Sequence, residues 1–118
     1  MRNIQYVRAD RDITVFDLLN HSSGLGMGPV GDTLVKRVIK PEDNVWERAV
    51  KYAELPLDFQ PGTASGYSAM DGFEVLAAIV EKVSGEAYDR YLDKHIFEPL
   101  GIRDITYRPS MEQRKRMP

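Results

Sequence analysis

Cysteine is absent from this chain of 118 residues, and histidine occurs only twice. The lack of cysteine excludes disulfide bonds, thiolate metal sites and a cysteine nucleophile, although it does not fix the cellular compartment. The two histidines, His21 and His95, are too few and too far apart to suggest a metal site. We therefore expect no metal and no cofactor.

An excess of charge of either sign is also lacking, because 16 basic residues nearly balance 18 acidic ones. That balance favours neither nucleic acid nor an anionic membrane as a partner. No apolar stretch reaches the ~18 residues that a membrane-spanning helix needs, so we expect no membrane segment in this chain. The length predicts one domain.

Helical signals dominate what is present. Thr14 with Asp17, and Asn44 with Glu47, have the spacing of a capping box at the start of a helix. Glycine at position 85 is typical of a left-handed helix cap. The patterns predict helices at about 15–19, 32–39, 45–53, 70–84 and 87–97, and a last turn that opens at Ser110. Apolar residues at helical spacing predict a buried face on the third helix (Trp46, Ala49, Val50 and Ala53) and one on the fourth (Phe73, Leu76, Ile79, Val80 and Val83). The sequence thus predicts a mainly α structure with little sheet.

One glycine-rich segment, Gly26–Gly31, matches the pattern G-x-G-x-x-G. The dinucleotide fingerprint works only between a strand and a helix, where amides at the helix start hold a pyrophosphate. A helix rather than a strand precedes this segment, so we interpret it as a flexible loop and not as a nucleotide site. His21 precedes two serines, but adjacent residues rarely present a nucleophile and its base to each other. A structural histidine that bonds loop carbonyls is the favoured interpretation.

Tyr67 is the candidate catalytic residue. It follows the turn Pro61–Gly62 and precedes the strongest predicted helix, so its backbone is held firmly. A phenol has an ordinary pKa of about 10 and is a poor base, but neighbouring ammonium groups stabilise its anion, which can then accept a proton from a serine. The alternative is a tyrosine packed against the core with its hydroxyl bonded to backbone, which is the commoner case for this residue type.

Five segments of the chain form a recognisable set of motifs. In chain order they are Ile13–Leu25, Leu55–Gly62, Tyr67–Ser68, Leu76–Gly85 and Ile96–Ile102. Together they resemble the serine β-lactamase and penicillin-binding protein-like superfamily, which includes class C β-lactamases, esterases and D-Ala-D-Ala carboxypeptidases. The first resembles the family's I-T-[VI]-x-x-L-L-x-H-T-S-G-L, and the third resembles the start of its Y-S-N. Their order and spacing agree with the family's motifs, and the match covers about residues 13–106.

This resemblance implies the helical lobe of a β-lactamase/transpeptidase-like α+β fold, with the sheet lobe largely absent from residues 1–118. In such enzymes a serine in S-x-x-K attacks a carbonyl to form an acyl-enzyme, and the lysine and the Y-x-N tyrosine move protons. By similarity, Tyr67 is the catalytic base or its partner. We therefore expect a single partial domain whose parent acts on a small-molecule ester, peptide or β-lactam.

Three departures from the family pattern limit the transfer. No S-x-x-K occurs, and Thr33-Leu-Val-Lys36 is only a threonine look-alike on the wrong side of the histidine segment. No K-T-G or H-x-G occurs either. Ala69 stands where the family has the asparagine that contacts a substrate amide, which favours esterase-type activity over β-lactam hydrolysis.

The sequence leaves two functions open. In the first, the chain is part of a serine hydrolase and is inactive by itself because the attacking serine lies elsewhere. In the second, it is a non-catalytic helical module that binds a partner through the groove near Tyr67. In the first, helix faces that normally meet the missing lobe would be exposed, so self-association of the fragment is expected.

Overall fold

The computed structural model describes residues 5–26, 29–68 and 71–118, with the side chains at 29 and 30 outside the description. Within these ranges the regular structure is helical and no strand occurs, as the sequence predicted. The chain divides into two compact units, Met1–Ala78 and Ile79–Pro118. The helices are α1 (Val15–Leu19), α2 (Pro29–Val38), α3 (Val45–Ala53), α4 (Asp71–Ser84), α5 (Tyr88–Leu92), a π-helical segment (Asp93–Phe97) and α6 (Met111–Arg116).

Capping boxes start three of the helices. Thr14 accepts a hydrogen bond from the amide of Asp17 at the start of α1, and Asn44 does the same for Glu47 at α3. Ser110 and Gln113 form the third box at α6. In each box the side chain three residues into the helix bonds back to the cap amide, so two otherwise unpaired N–H groups are satisfied. The predicted helix starts at Thr14 and Asn44 are confirmed.

The glycine-rich segment is only partly a loop. Helix α2 begins at Pro29 and includes Gly31, whereas the sequence predicted loop up to Gly31. Proline suits the first helical position because its missing N–H would be unpaired there in any case. Positions 27 and 28 lie outside the described residues.

The buried side chains differ from those of the predicted apolar faces. The buried apolar side chains of the described part are Leu18, Leu25, Tyr52, Ala77 and Ala78. The face predicted to be buried on α3 is instead exposed at Trp46 and Val50, and on α1 only Leu18 is buried among the apolar residues. On α4, Phe73 and Val83 of the predicted stripe are exposed, and the small Ala77 and Ala78 are buried instead. Spacing identified these faces as apolar but did not show what covers them.

The second unit contains the end of α4, the helices after it and the chain's last turns. Gly85 has a φ of 73°, which confirms the left-handed cap predicted for α4. The helix predicted at 87–97 exists, but its second half, Asp93–Phe97, is π-helical. It ends before Pro99, and Gly101 beyond it has a φ of 67°.

Candidate active site

Tyr67 lies at the end of the loop that leads into α4, with Ala69 and Met70 between them outside the described residues. The residue is 68% exposed. A tyrosine packed in the core would be buried, so the exposure agrees better with a phenol that a reacting partner can reach. Its role in catalysis stays a prediction.

Three backbone hydrogen bonds hold the loop that carries Tyr67. The amide of Asp58 donates to the carbonyl of Gly24 at 2.8 Å, and the amide of Gly62 donates to Ser22 at 2.8 Å. Next to Tyr67, the amide of Gly66 donates to the carbonyl of His21 at 2.9 Å. We call residues 21–24 and 58–66 the paired loops. Because both ends of the tyrosine-bearing loop are bonded to the same segment, the backbone before Tyr67 has little freedom.

Two glycines allow the paired loops to approach closely. Gly24 has a φ of 79°, and a β-carbon built there would lie 2.3 Å from the carbonyl oxygen of Phe59. Gly62 also has a φ of 79°, the positive angle that glycine accepts in the type II form of the turn predicted at Pro61–Gly62. At Gly24, therefore, only glycine satisfies both the backbone angle and the available space.

A buried carboxylate, Asp17, anchors the first paired loop to the chain before it. Asp17 is 2% exposed and accepts two hydrogen bonds from the Arg11 guanidinium, at 2.6 and 2.9 Å. It also accepts from the amide and hydroxyl of Thr14 and from the hydroxyl of Ser22 at 2.9 Å. The hydrogen bonds from Arg11, followed by those from Thr14, hold the pKa of this carboxyl well below its usual value. Asp17 is thus an ionised structural hub for the paired loops.

The ring of His21 packs against the ring of Tyr67. Their centroids are 4.8 Å apart at an interplanar angle of 54°. The ring of Phe73, on α4, meets His21 edge-on at 5.7 Å. Nδ1 of His21 is buried and has no hydrogen-bond partner among the described residues. The interpretation that the His21 side chain bonds loop carbonyls therefore does not hold for Nδ1. It is the backbone carbonyl of His21 that accepts a hydrogen bond, from the amide of Gly66, and the imidazole ring packs against aromatic rings.

Directly after Tyr67, Ser68 is completely buried beneath the start of α4. A β-carbon at Gly72 would lie 2.9 Å from the Ser68 hydroxyl oxygen and 3.6 Å from the carbonyl of Leu18. This close packing between α4 and Ser68 fixes where the chain enters the helix. The backbone is thus fixed before Tyr67 by the paired loops and after it by the packing of Ser68.

Charged groups lie wholly or partly buried where α3 meets the first turn of α4. The carboxylate of Glu74 accepts a hydrogen bond from the buried hydroxyl of Tyr52 and pairs with Arg48 at 2.9 Å. Burial, followed by the hydrogen bond to Glu74, raises the pKa of Tyr52. Asp71 is 3% exposed, and burial together with the charge of Glu74 raises its pKa to about 6. Sequence reasoning missed this cluster, because no motif distinguishes its residues from solvated charges.

The other candidates from the sequence have different surroundings. Lys36 of the threonine look-alike pairs with Asp32 at 2.6 Å on α2, an ordinary exposed ion pair one helical turn apart. His95 lies in the π-helical segment of the second unit, where it is half-exposed, 3.4 Å from Glu86 and stacked on Tyr91 at 4.4 Å. Among the described residues, no cluster of acidic residues and histidines could hold a metal ion. No helix in that part of the chain is long and apolar enough to cross a bilayer.

Three proteins of known name are similar in sequence to most of this chain. The chain is 29% identical over 107 residues to a putative D-alanyl-D-alanine carboxypeptidase of Escherichia coli strain K12, covering 90% of this chain and 24% of the relative. It is 31% identical over 104 residues to an N-acetylmuramyl-L-alanine amidase of Bacillus subtilis strain 168, covering 87% and 23% of the two chains. It is 33% identical over 102 residues to a lovastatin esterase of Penicillium rubens, covering 84% and 25%.

These matches extend along most of the chain but span only about a quarter of the length of the curated relatives. The family model described as Beta-lactamase matches residues 4–117, which include the paired loops, Tyr67 and all the helices. The resemblance read from the five sequence segments is confirmed by this match. The chain belongs to the Beta-lactamase family.

Proposed function

We propose that this chain is the helical region, a single partial domain, of a serine hydrolase that acts through an acyl-enzyme, with Tyr67 as the proton acceptor or its partner. The observation that carries the proposal is the combination of exposure and restraint at Tyr67. The residue is 68% exposed, while hydrogen bonds at Asp58, Gly62 and Gly66 fix the loop that leads to it. General base catalysis needs such a group, held in place and open to its partner.

In this scheme the phenolate of Tyr67 accepts one proton and then releases it. The serine oxygen attacks the carbonyl carbon of the substrate while its proton passes to the phenolate oxygen of Tyr67. The same proton then passes to the leaving group as the bond between the carbonyl carbon and that group breaks, which leaves an ester on the serine. The phenolate needs a cation beside it, and family members supply one from the lysine of S-x-x-K. Both the serine and that lysine lie outside these 118 residues in this proposal.

The substrate class is an acyl compound, and an ester is favoured. The relatives are named as a carboxypeptidase, an amidase and an esterase, and all three names describe cleavage of a bond to an acyl carbon. Ala69 cannot make the amide contact of the family's asparagine. A substrate amide would lose that hydrogen bond, whereas an ester has no N–H at the corresponding place. No bound cofactor takes part in this scheme.

Covalent labelling tests the proposal directly. The 118-residue chain is incubated with a fluorophosphonate or a fluorescent penicillin, and we expect no stoichiometric adduct. In the complete hydrolase, Tyr67→Phe should lower the acylation rate by ~10²–10⁴-fold, which is the usual contribution of a general base. Tyr6→Phe is a matched control, because Tyr6 is 73% exposed and lies in the same unit. An adduct on the isolated chain, or normal acylation in Tyr67→Phe, would contradict the proposal.

The second candidate is a non-catalytic binding module, which the replacement of the motif asparagine by Ala69 favours. Exposed apolar residues in the same unit, Phe16 at 70% and Phe73 at 49%, would supply a contact surface. The coding region on both sides of this stretch distinguishes the two. A Ser-x-x-Lys encoded upstream supports the hydrolase. A start and a stop that bracket these residues support the module, for which sedimentation would also show whether the chain associates with itself.

A further inference from the structure

We infer that His21 is a positioning residue for Tyr67: its ring sets the orientation of the phenol that the proposed hydrolase uses. This inference rests on the proposed function for its catalytic meaning, but the contact itself does not. The two rings lie 4.8 Å apart, within the range of favourable aromatic pairs. Tyr67 is 68% exposed, so among the described residues the packing against His21 is what limits the orientations of its ring.

The backbone at His21 shows why an ordinary loop residue does not suffice there. His21 has a φ of 61°, the only positive φ at a residue other than glycine in the described part of the chain. Histidine, asparagine and aspartate are enriched in this left-handed region, whereas most other residues are strained in it. Two hydrogen bonds hold the turn, from the amide of Ser22 to Asp17 and from the amide of Gly66 to His21, both at 2.9 Å. Position 21 therefore needs tolerance of a left-handed backbone and a ring, and histidine offers both.

Ring packing, rather than hydrogen bonding through Nδ1, explains the side chain. Nδ1 is buried without a hydrogen-bond partner in the part of the chain that the structure describes. The same ring contacts Phe73 of α4 at 5.7 Å, so it is supported by a helix as well as by its own loop. A ring held from two sides is a rigid surface for Tyr67. The side chain of Tyr67 therefore loses its conformational entropy when the protein folds, before any substrate binds.

Two substitutions separate the ring from the backbone. His21→Asn keeps a residue that accepts the left-handed conformation but removes the ring. His21→Phe keeps a ring but strains the backbone. If His21 orients Tyr67, His21→Asn should retain stability and lose the orientation, and His21→Phe should do the reverse. If His21 serves only the loop, the stabilities should be the same but His21→Asn should leave the orientation of Tyr67 unchanged.

Nuclear magnetic resonance of the 118-residue chain measures the orientation without any activity. In the unaltered chain we expect nuclear Overhauser contacts between the two rings and Hα–Hβ couplings of Tyr67 that report one rotamer. In His21→Asn the couplings should average over rotamers, and the ring signals of Tyr67 should move toward those of the exposed Tyr6. In His21→Phe the couplings should stay those of one rotamer. Unchanged couplings in His21→Asn would overturn the inference.

A double-mutant cycle in the complete hydrolase tests the consequence. His21→Asn should lower the kcat for acylation on the order of 10- to 100-fold with little change in KM, the cost of a misplaced catalytic group. In a Tyr67→Phe background it should have no further effect. His95→Asn, the same change at the chain's other histidine, should leave the rate unchanged. An equal loss from His21→Asn in both backgrounds would refute the inference. Full activity of Tyr67→Phe alone would instead refute the proposed function, and the couplings would still decide whether His21 orients Tyr67.

Discussion

Replacing Gly24 by alanine should destabilise the first unit more than the same replacement at Gly62. The two glycines form a matched pair, because each has a φ of 79° and each lies in the paired loops. They differ in what a new β-carbon meets. At Gly24 the nearest atom is the backbone carbonyl oxygen of Phe59 at 2.3 Å, whereas at Gly62 it is the guanidinium end of Arg11, also at 2.3 Å.

The magnitudes follow from that difference. A left-handed conformation costs a residue with a β-carbon about 1–2 kcal/mol, and this cost is common to both variants. The side chain of Arg11 is 43% exposed, so the guanidinium can move into solvent, although its ion pair with Asp17 weakens. A backbone carbonyl cannot move alone. Displacing Phe59 should add ~1–3 kcal/mol of overpacking and weaken the hydrogen bond from Asp58 to Gly24, worth about 1 kcal/mol. We expect a loss of roughly 3–6 kcal/mol for Gly24→Ala.

Urea denaturation monitored by tryptophan fluorescence measures this difference. Trp46 is the only tryptophan and lies in the same unit as both glycines, so its emission reports on the correct part of the chain. The free energy of unfolding of Gly24→Ala should lie at least about 1 kcal/mol below that of Gly62→Ala. Equal values would show that the loop at Phe59 adjusts without cost. The restraint that we assign to the paired loops would then be absent.

Two further substitutions probe the start of α4. Burial and the charge of Glu74 raise the pKa of Asp71 to about 6 from 3.8, so the folded state holds a proton more tightly than the unfolded state, and stability falls as the pH rises from about 4 to 6. Asp71→Asn should therefore be more stable than the unaltered chain at pH 7, by about 3 kcal/mol in urea titrations, and no more stable at pH 3.5. A constant difference would contradict the assigned ionisation. Gly72→Ala should lower the melting temperature and displace Ser68, whose hydroxyl oxygen would lie 2.9 Å from the new β-carbon; unchanged amide chemical shifts at Ser68 would contradict this.

Helix starts could be predicted because their signals are local. The capping boxes at Thr14 and Asn44 use a side chain and an amide three residues apart, and no distant contact is needed to form them. Burial could not be predicted in the same way. The apolar spacing of α3 pointed to Trp46, yet Tyr52 is the buried aromatic residue of that helix. Periodicity identifies an apolar face, while a buried position depends on which other elements cover it.

In the candidate site too, local features could be predicted from the sequence and contacts between distant positions could not. Tyr67 could be named from the sequence because the turn before it and the helix after it are local features, and the segment resembles the family's motif. The ring contact between His21 and Tyr67 and the bond from Gly66 to His21 join distant positions, so spacing gave no sign of them. The resemblance of both segments to one family could have suggested that they meet. The buried Asp71 had no sequence signal at all.

The hydrogen bond from the amide of Asp58 to the carbonyl of Gly24 brings together the two ends of a long segment, residues 24–58, that contains α2. Lengthening such a closed loop costs little free energy, since each doubling of a flexible loop costs only about 0.6 kcal/mol. Residues inserted near Lys40, which is exposed between α2 and α3, should therefore leave the geometry around Tyr67 intact. New recognition surfaces can be added at that point while Tyr67 keeps its place.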